Sequence, residues 1–302
     1  MLTCENISKT FPSRAEPALD SVTIEVRDGE IVGLVGLNGA GKTTLIRLSC
    51  GAALPTSGRI NIDGKDLGTE KGIACARVGW IPENPVFSYE ARTFDVLVHH
   101  AGYYPQTQRL PRNRIRELLD QVGLRDYENT RARTFSQGMR KRLALARALL
   151  TEPSTLLLDE ILNGLDPEGV RLVRQTIEAL RKDGKAILLS SHILSELQQV
   201  ADRFAFLHHG KLLSIVPRDE LSKAGSTAVR VRLTNADPRV YELLERFGPT
   251  SQEGEEFVIE HPSISPEELT ARLVAAGYRV RELTQDYRFL EEYFMHLVGE
   301  PG

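Results

Sequence analysis

Apolar and polar residues change period several times along this chain. Near the start, Thr23-Ile24-Glu25-Val26 alternates, which predicts a half-buried strand, and Asp28-Gly29 follows as a turn. Ile31-Val32-Gly33-Leu34-Val35 is instead a continuous apolar run of strand length, as expected of a strand covered on both faces. A glycine-rich stretch comes next, and Thr43-Thr44-Leu45-Ile46-Arg47-Leu48 opens a helix. Arg59-Ile60-Asn61-Ile62 alternates again before the turn Asp63-Gly64.

From about residue 85 to 150 the strand signals fade. Ile115, Leu118, Leu119 and Val122 stand at i, i+3, i+4 and i+7, one face of a helix that Gly123 stops. Residues 143–150 form another helix, closed by Pro153. Alternation of strand and helix then resumes, with strands at 155–158, 186–190 and 203–207 and helices at 167–182 and 195–200. Strands alternating with helices predict an α/β fold with a mainly parallel sheet, into which the helical stretch is inserted. Ala224-Gly225-Ser226 reads as a linker. A smaller βαβαβα-like run follows it. Residues 229–233 alternate, with 256–260 as a candidate partner strand, and Ser265-Pro266-Glu267-Glu268 has capping-box spacing. Residues 278–283 read as a strand. Residues 287–298 read as a closing helix whose stripe of Leu290, Tyr293, Phe294 and Leu297 suits core packing.

Composition narrows the class. The chain has 302 residues, enough for one large domain and a smaller one, and its 41% hydrophobic and 26% charged residues are ordinary for a globular protein. The net charge of −3 gives no field that calls for nucleic acid. The longest basic stretch is only Met139-Arg140-Lys141-Arg142. Cys4, Cys50 and Cys75 have no C-x-x-C pairing and read as thiols in a reducing compartment. No run approaches the roughly 18 apolar residues of a membrane span, and the start has no signal-peptide pattern. The expected location is cytoplasmic, and any action on a membrane goes through a partner.

The chemistry is concentrated in two places. Gly36-Leu37-Asn38-Gly39-Ala40-Gly41-Lys42-Thr43, followed by Thr44, fits G-x-x-x-x-G-K-[ST] between an apolar strand and a helix. Glycines let the backbone turn tightly and aim N–H groups at phosphate oxygens, and the helix N-terminus adds partial positive charge. Lys42 can reach the β- and γ-phosphates of ATP, and the Thr43 hydroxyl can ligate Mg²⁺. Further on, Thr155-Leu156-Leu157-Leu158 ends in Asp159-Glu160. Asp159 is the natural holder of the metal, and Glu160 can polarise a water for attack on the γ-phosphate. His192 follows the next strand, at the edge where open α/β sheets place ligands.

With these residues in order, the sequence resembles the ATP-binding subunits of ABC transporters over about residues 1–220. Thr134-Phe135-Ser136-Gln137-Gly138-Met139 is similar to the family signature L-S-G-G-Q in variant form, keeping Ser136 and Gly138. Ser136 also caps the helix that begins there, so its N–H groups make an anion site. Asn163-Gly164-Leu165-Asp166-Pro167 resembles the loop that touches the opposite subunit, and His192 matches the switch histidine. Phe11 stands where the family often stacks an aromatic on adenine; a core phenylalanine is the alternative there. Glu83, after Val78-Gly79-Trp80-Ile81-Pro82, replaces the usual glutamine and offers only carboxylate oxygens, which can still ligate Mg²⁺. The last 80 residues are similar to the tail of daunorubicin-resistance and related export ATPases, on the ending Asp286-Tyr287-Arg288-Phe289-Leu290-Glu291-Glu292-Tyr293-Phe294.

The resemblance implies a P-loop NTPase fold. It places an ABC ATPase domain at 1–222 with an antiparallel β edge and a helical subdomain near 85–150, and an accessory α+β domain at 226–302. It also implies hydrolysis of ATP with Mg²⁺ by Glu160, His192 and Lys42 in a head-to-tail dimer. The signature Ser136, Gln137, Gly138 and Met139 of one copy would complete the site of the other, and Gly164, Leu165 and Asp166 would touch across the dimer. Separate multi-span membrane subunits would carry the substrate, with export the implied direction and the groove around 83–100 receiving their cytoplasmic helix. The rival reading is a soluble ABC ATPase acting on the ribosome or nucleic acid. The usual tandem domains, long basic linker and coiled-coil insertion of such chains are not found here.

Overall fold

The computed structural model describes all residues except 13–15, 105–106, 108–110, 193, 225–226, 261, 288 and 300–302. The linker residues Gly225 and Ser226, and Arg288 of the acidic-aromatic ending, therefore lie outside the described residues. The chain divides into two compact units, Met1–Arg218 and Asp219–Gly302.

In the first unit the order is β1 (Leu2–Lys9), β2 (Leu19–Val26), β3 (Ile31–Val35), α1 (Lys42–Ser49), β4 (Ser57–Ile62), β5 (Lys65–Asp66), α2 (Lys71–Cys75) and β6 (Val78–Ile81). Helices α3 (Thr93–Ala101), α4 (Arg112–Gln121) and α5 (Gln137–Leu149) form the insertion. Then come β7 (Thr155–Asp159), α6 (Pro167–Lys182), β8 (Ala186–Ser190), α7 (Leu194–Val200), β9 (Arg203–His208) and β10 (Lys211–Pro217). The main sheet runs β10-β9-β3-β8-β7-β6, parallel except for β10. Every residue of β3, β7 and β8 is buried, which is why their sequences are continuous apolar runs rather than alternating ones.

The expected antiparallel edge is a separate sheet, β2-β1-β4-β5. Its inward residues, among them Leu2, Ile7, Val22 and Ile60, join Leu45 and Leu48 of α1 and Leu34 and Leu188 of the main sheet in one core. The sequence reading of a helical insertion matches α3–α5. Helix α5 begins earlier than the apolar run at 143–150 suggests, because Ser136 caps it by accepting from the Met139 N–H at 3.2 Å. Helix α6 keeps its expected bounds. Asp166 caps it, Pro167 sits at its first position, and Val173, Ile177 and Leu180 form its buried stripe.

Strand order fixes the site. β3 lies beside β8, and β8 beside β7, all in one direction. The segments that leave these three strands therefore emerge side by side at the carboxyl edge of the sheet.

The second unit contains α8 (Arg218–Ala224, starting at the boundary), β11 (Thr227–Leu233), α9 (Pro238–Glu245), β12 (Thr250–Glu253), β13 (Glu256–Glu260), α10 (Pro266–Ala275), β14 (Val280–Tyr287) and α11 (Phe289–Val298). From β11 to β14 this is βαββαβ with sheet order β12-β13-β11-β14, all antiparallel, a ferredoxin-like arrangement. The expected pairing of 229–233 with 256–260 is present. The simple alternation of strand and helix is not. β12 is Thr-Ser-Gln-Glu and nearly all exposed, so an apolar pattern has nothing to register there. The βαβαβα-like pattern leaves the helix between 229–233 and 256–260 without bounds; it is α9, which Asp237 caps just before Pro238. Strand β14 runs later than expected, over Val280–Tyr287, and α11 begins at Phe289.

The alternation of β11 has a clear cause. Val229, Val231 and Leu233 pack on Val240, Leu244, Leu269 and Leu273 of the two helices. On the opposite face Arg230 pairs with Glu253 at 2.7 Å, and Arg232 with Glu256 at 2.5 Å.

Candidate functional site

The segment after β3 turns into α1 through glycines that cannot be replaced freely. A Cβ on Gly36 would overlap the Leu207 carbonyl oxygen and stand 2.9 Å from the Ala40 Cβ. Gly41 has φ +111° and lies against Ala18 and Leu19. The loop therefore wraps as bare backbone around Lys42, which is almost wholly buried. Lys42 Nζ donates to the carbonyls of Gly36 at 2.5 Å and Leu37 at 3.3 Å. Burial pulls this ammonium below its ordinary range, while the charges of Glu160, Asp159 and Glu83 pull the other way. Those three charges come from two parts of the chain, the end of β7 and the segment after β6.

At the end of β7, Asp159 is buried and accepts at one oxygen, Oδ1. Ser190 Oγ donates to it at 2.7 Å and Thr43 Oγ1 at 3.3 Å. The next residue, Glu160, has φ +52°, a left-handed conformation that costs a residue with a side chain about 1–2 kcal/mol. Local bonds hold it. Its N–H donates to the Ser190 backbone oxygen and lies 3.1 Å from Ser190 Oγ, and its carbonyl accepts from the Asn163 N–H and the Lys141 ammonium. The change of hand sends the Glu160 carboxylate away from that of Asp159. It accepts from the His192 N–H at 3.1 Å and from His192 Nδ1 at 2.7 Å.

One cavity of about 340 Å³ is lined by Ala18, by residues 37–44 and by Glu83, Glu160, Asn163 and His192. It brings together most of the expected site residues. Gly36 and Asp159 stand just behind it, through Lys42 and Thr43. Phe11 does not line it; the Lys9 ammonium lies 5.1 Å from that ring. Ser136, Gln137, Gly138 and Met139 do not line it either. They sit at the start of α5, where Ser136 and Gln137 are exposed, Gly138 is buried against Leu165, and the Gln137 amide lies against Gly164. Asp166 accepts from the Gly169 N–H at 3.2 Å, as the cap of α6.

Sequence reasoning missed four residues. Ser190 was only the last residue of an apolar strand. Ala18 had no signal. Asn163 carried one, being adjacent to Gly164 in the motif. Lys141 passed as part of a basic stretch, yet it is fully buried. Its signal was periodic, since Gly138, Lys141 and Leu145 fall at i, i+3 and i+7 on the buried face of α5.

Comparison with known proteins agrees with this geometry. Residues 19–163 match the family model described as ABC transporter. The bacitracin transport ATP-binding protein BcrA of Bacillus licheniformis is 36% identical over 299 residues, 97% of this chain and 96% of the relative. The uncharacterized ABC transporter ATP-binding protein YcbN of Bacillus subtilis (strain 168) is 31% identical over 97% of this chain and 95% of its own length. A solved ATP binding subunit of an ABC transporter superposes with TM-score 0.66 at 28% identity, covering 74% of this chain and 92% of that one. The chain belongs to the ATP-binding subunits of ABC transporters, and it binds and hydrolyses ATP.

Proposed function

We infer that this chain powers export, in the daunorubicin-resistance or a related branch, as a dimer of identical subunits closing head to tail over two ATP molecules. Residues 1–222 act as the ATPase domain and 226–302 as an accessory domain. The carrying observation is that Lys42, Glu160 and His192 line one cavity while Ser136–Met139 of the same chain do not. A helix N-terminus that is capped and outside the lining of its own cavity suits a second copy's nucleotide. Gly164, Leu165 and Asp166 lie beside that turn and would share the dimer contact. Export is supported by the bacitracin transport relative, which aligns along nearly its whole length. Among the described residues no helix is long and apolar enough to cross a membrane. The substrate path is assigned to separate multi-span subunits, with this chain on their cytoplasmic face and no nucleic acid as partner.

The phosphates of ATP would take the Lys42 ammonium from the carbonyls of Gly36 and Leu37 and meet the N–H groups of residues 37–44. Adenine would enter from the side of Ala18, with Phe11 as the stacking ring. The oxygens of Thr43, Asp159 and Glu83 suit Mg²⁺, a hard cation that takes one or two carboxylates together with substrate phosphates. Held by those residues, such an ion would supply positive charge against the phosphates. Glu160 accepts a proton from the water that attacks the γ-phosphorus in line, and the bond to the β–γ bridging oxygen breaks to release ADP. His192 holds the Glu160 carboxylate by two contacts, and with Lys42 it stabilises the charge that develops on the transferring group.

The test is Glu160→Gln. Hydrolysis should fall by about 100-fold or more. With ATP and Mg²⁺ the variant should run in light scattering at twice the 33.7 kDa chain mass. Hydrolysis at the wild-type rate refutes the base, and a monomer at saturating ATP refutes the sandwich.

A further inference from the structure

The fully buried charge of Lys141 has no part in the mechanism above. We propose that Lys141 is a positioning residue for hydrolysis, whose ammonium holds the backbone of Glu160 in the conformation that aims its carboxylate at the cavity. The inference deepens the reading of Glu160 as base and rests on it.

A lysine is almost never fully buried without partners, because its charge must leave water. Here the partners are two main-chain carbonyls on one short turn. Nζ donates to the carbonyl of Glu160 and, at 2.7 Å, to that of Asn163. The same turn is closed by the Asn163 N–H donating to the Glu160 carbonyl at 3.2 Å. The lysine therefore clamps both ends of the segment in which the chain leaves β7. Glu160 is the left-handed residue of that segment, and Ile161 and Leu162 after it are buried. A left-handed residue with a side chain persists only where its surroundings over-determine it. Ser190 fixes the N–H of Glu160 from β8, and Lys141 fixes its carbonyl from α5. With both ends of the residue held, the carboxylate can reach His192 and the cavity while Asp159 stays on Thr43.

Burial lowers the affinity of Lys141 for its proton, and the charges of Glu160, Glu83 and Asp159 oppose that. The same three carboxylates thus act on Lys141, from α5, and on Lys42, from the phosphate loop. Lys141 projects from α5 at the second turn after the Ser136 cap, on the face that also carries Gly138. A rigid helix therefore runs from the signature turn to the carbonyl of the base.

Full-length Lys141→Met keeps the buried stem and removes the donors. Its kcat for ATP hydrolysis should fall by about tenfold or more. Its affinity for a fluorescent ATP analogue should stay within about twofold, because Lys141 does not itself line the cavity and meets only the main-chain carbonyls of Glu160 and Asn163 behind it. Lys141→Gln, which restores amide donors, should recover an intermediate kcat about threefold below wild type. Placed on Glu160→Gln, the Met substitution should lower the residual rate no further, since the two act as one unit. A kcat in Lys141→Met within about twofold of wild type overturns the inference, as do parallel losses of affinity and kcat. So does a full further loss on the Glu160→Gln background. If Lys141→Met does not fold, folded Lys141→Gln decides: a lowered kcat with unchanged affinity supports the role, and a wild-type kcat overturns it. Wild-type hydrolysis in Glu160→Gln alone would remove the base itself. Loss in that variant beside a wild-type kcat in Lys141→Met overturns only the positioning role.

Discussion

Ser190→Ala removes one oxygen atom from the centre of the site. Ser190 is fully buried at the end of β8. Its hydroxyl donates to Asp159 Oδ1 at 2.7 Å and lies 3.1 Å from the Glu160 N–H. The two losses are unequal. The Glu160 N–H keeps the Ser190 backbone oxygen at 3.1 Å, so it stays bonded. Among the described residues Asp159 then keeps only Thr43 Oγ1, at 3.3 Å, near the long end of useful hydrogen bonds. A buried hydrogen bond to an ionised group contributes about 1.5–3 kcal/mol, so the expected loss of stability is about 2 kcal/mol. The chain has a single tryptophan, Trp80, on β6 opposite Leu157 of β7. Its emission reports unfolding of the first unit alone. With a urea slope of about 2–3 kcal/mol/M, the midpoint should drop by roughly 0.7–1 M at constant slope. Loosening Asp159 also loosens Glu160, so kcat should fall about tenfold. A midpoint within about 0.2 M of wild type, with kcat unchanged, would refute the assignment of Ser190 as the brace of the Asp159 carboxylate and the Glu160 backbone.

Three other perturbations test separate parts of the chain. Gly36→Ala should destabilise the first unit by about 1–3 kcal/mol and weaken nucleotide binding about tenfold or more in calorimetry, because the new methyl meets the Leu207 backbone oxygen rather than a side chain that can move; unchanged affinity would show that the loop has room. Burial pushes the Glu30 carboxyl up, but Arg203, at 2.5 and 2.9 Å, and the Arg27 N–H outweigh it and hold the group below its ordinary value of 4.5. Its contribution is therefore complete above pH 4.5 and is lost as pH falls through the depressed value. Glu30→Gln should be less stable than wild type near pH 7 by Trp80 emission, and the gap should close below pH 4.5; a gap independent of pH would refute the ion pair as its cause. Leu269→Ala, fully buried in the second unit, should cost about 2–5 kcal/mol there. Hydrogen exchange should accelerate across 227–287 while residues 1–218 keep their protection; equal acceleration in both would refute independent units.

How much was legible differs between neighbouring residues for a physical reason. The phosphate loop could be read because its parts are contiguous, with an apolar strand before it and a helix after it. The same holds for α6, where Asp166, Pro167 and the terminal Asp183-Gly184 announce both ends. Asp237-Pro238 carries a similar start signal for α9. β12 had no signal to give, since an exposed polar edge strand exists only through its pairing with β13. Lys141 shows the limit most sharply. In sequence it lies between Arg140 and Arg142 and looks like part of a solvated basic turn. In the fold, helical geometry turns it inward onto the carbonyl of Glu160 while its neighbours point elsewhere.

By itself the sequence determined the chemistry at hand: a loop for phosphates, a carboxylate pair on a buried strand, a histidine after the next strand, and a capped helix between. These follow from residue type and short-range spacing, where backbone geometry leaves few choices. Only the tertiary structure decided how they combine. The order β3-β8-β7 placed Ser190 between the phosphate loop and the carboxylates, and so set which hydroxyl braces Asp159. The left-handed turn at Glu160 parted two adjacent carboxylates, and Lys141 and Ser190, from two other elements, hold that turn. Such contacts join residues far apart in sequence, and their partners become neighbours only when the strands pair and α5 docks.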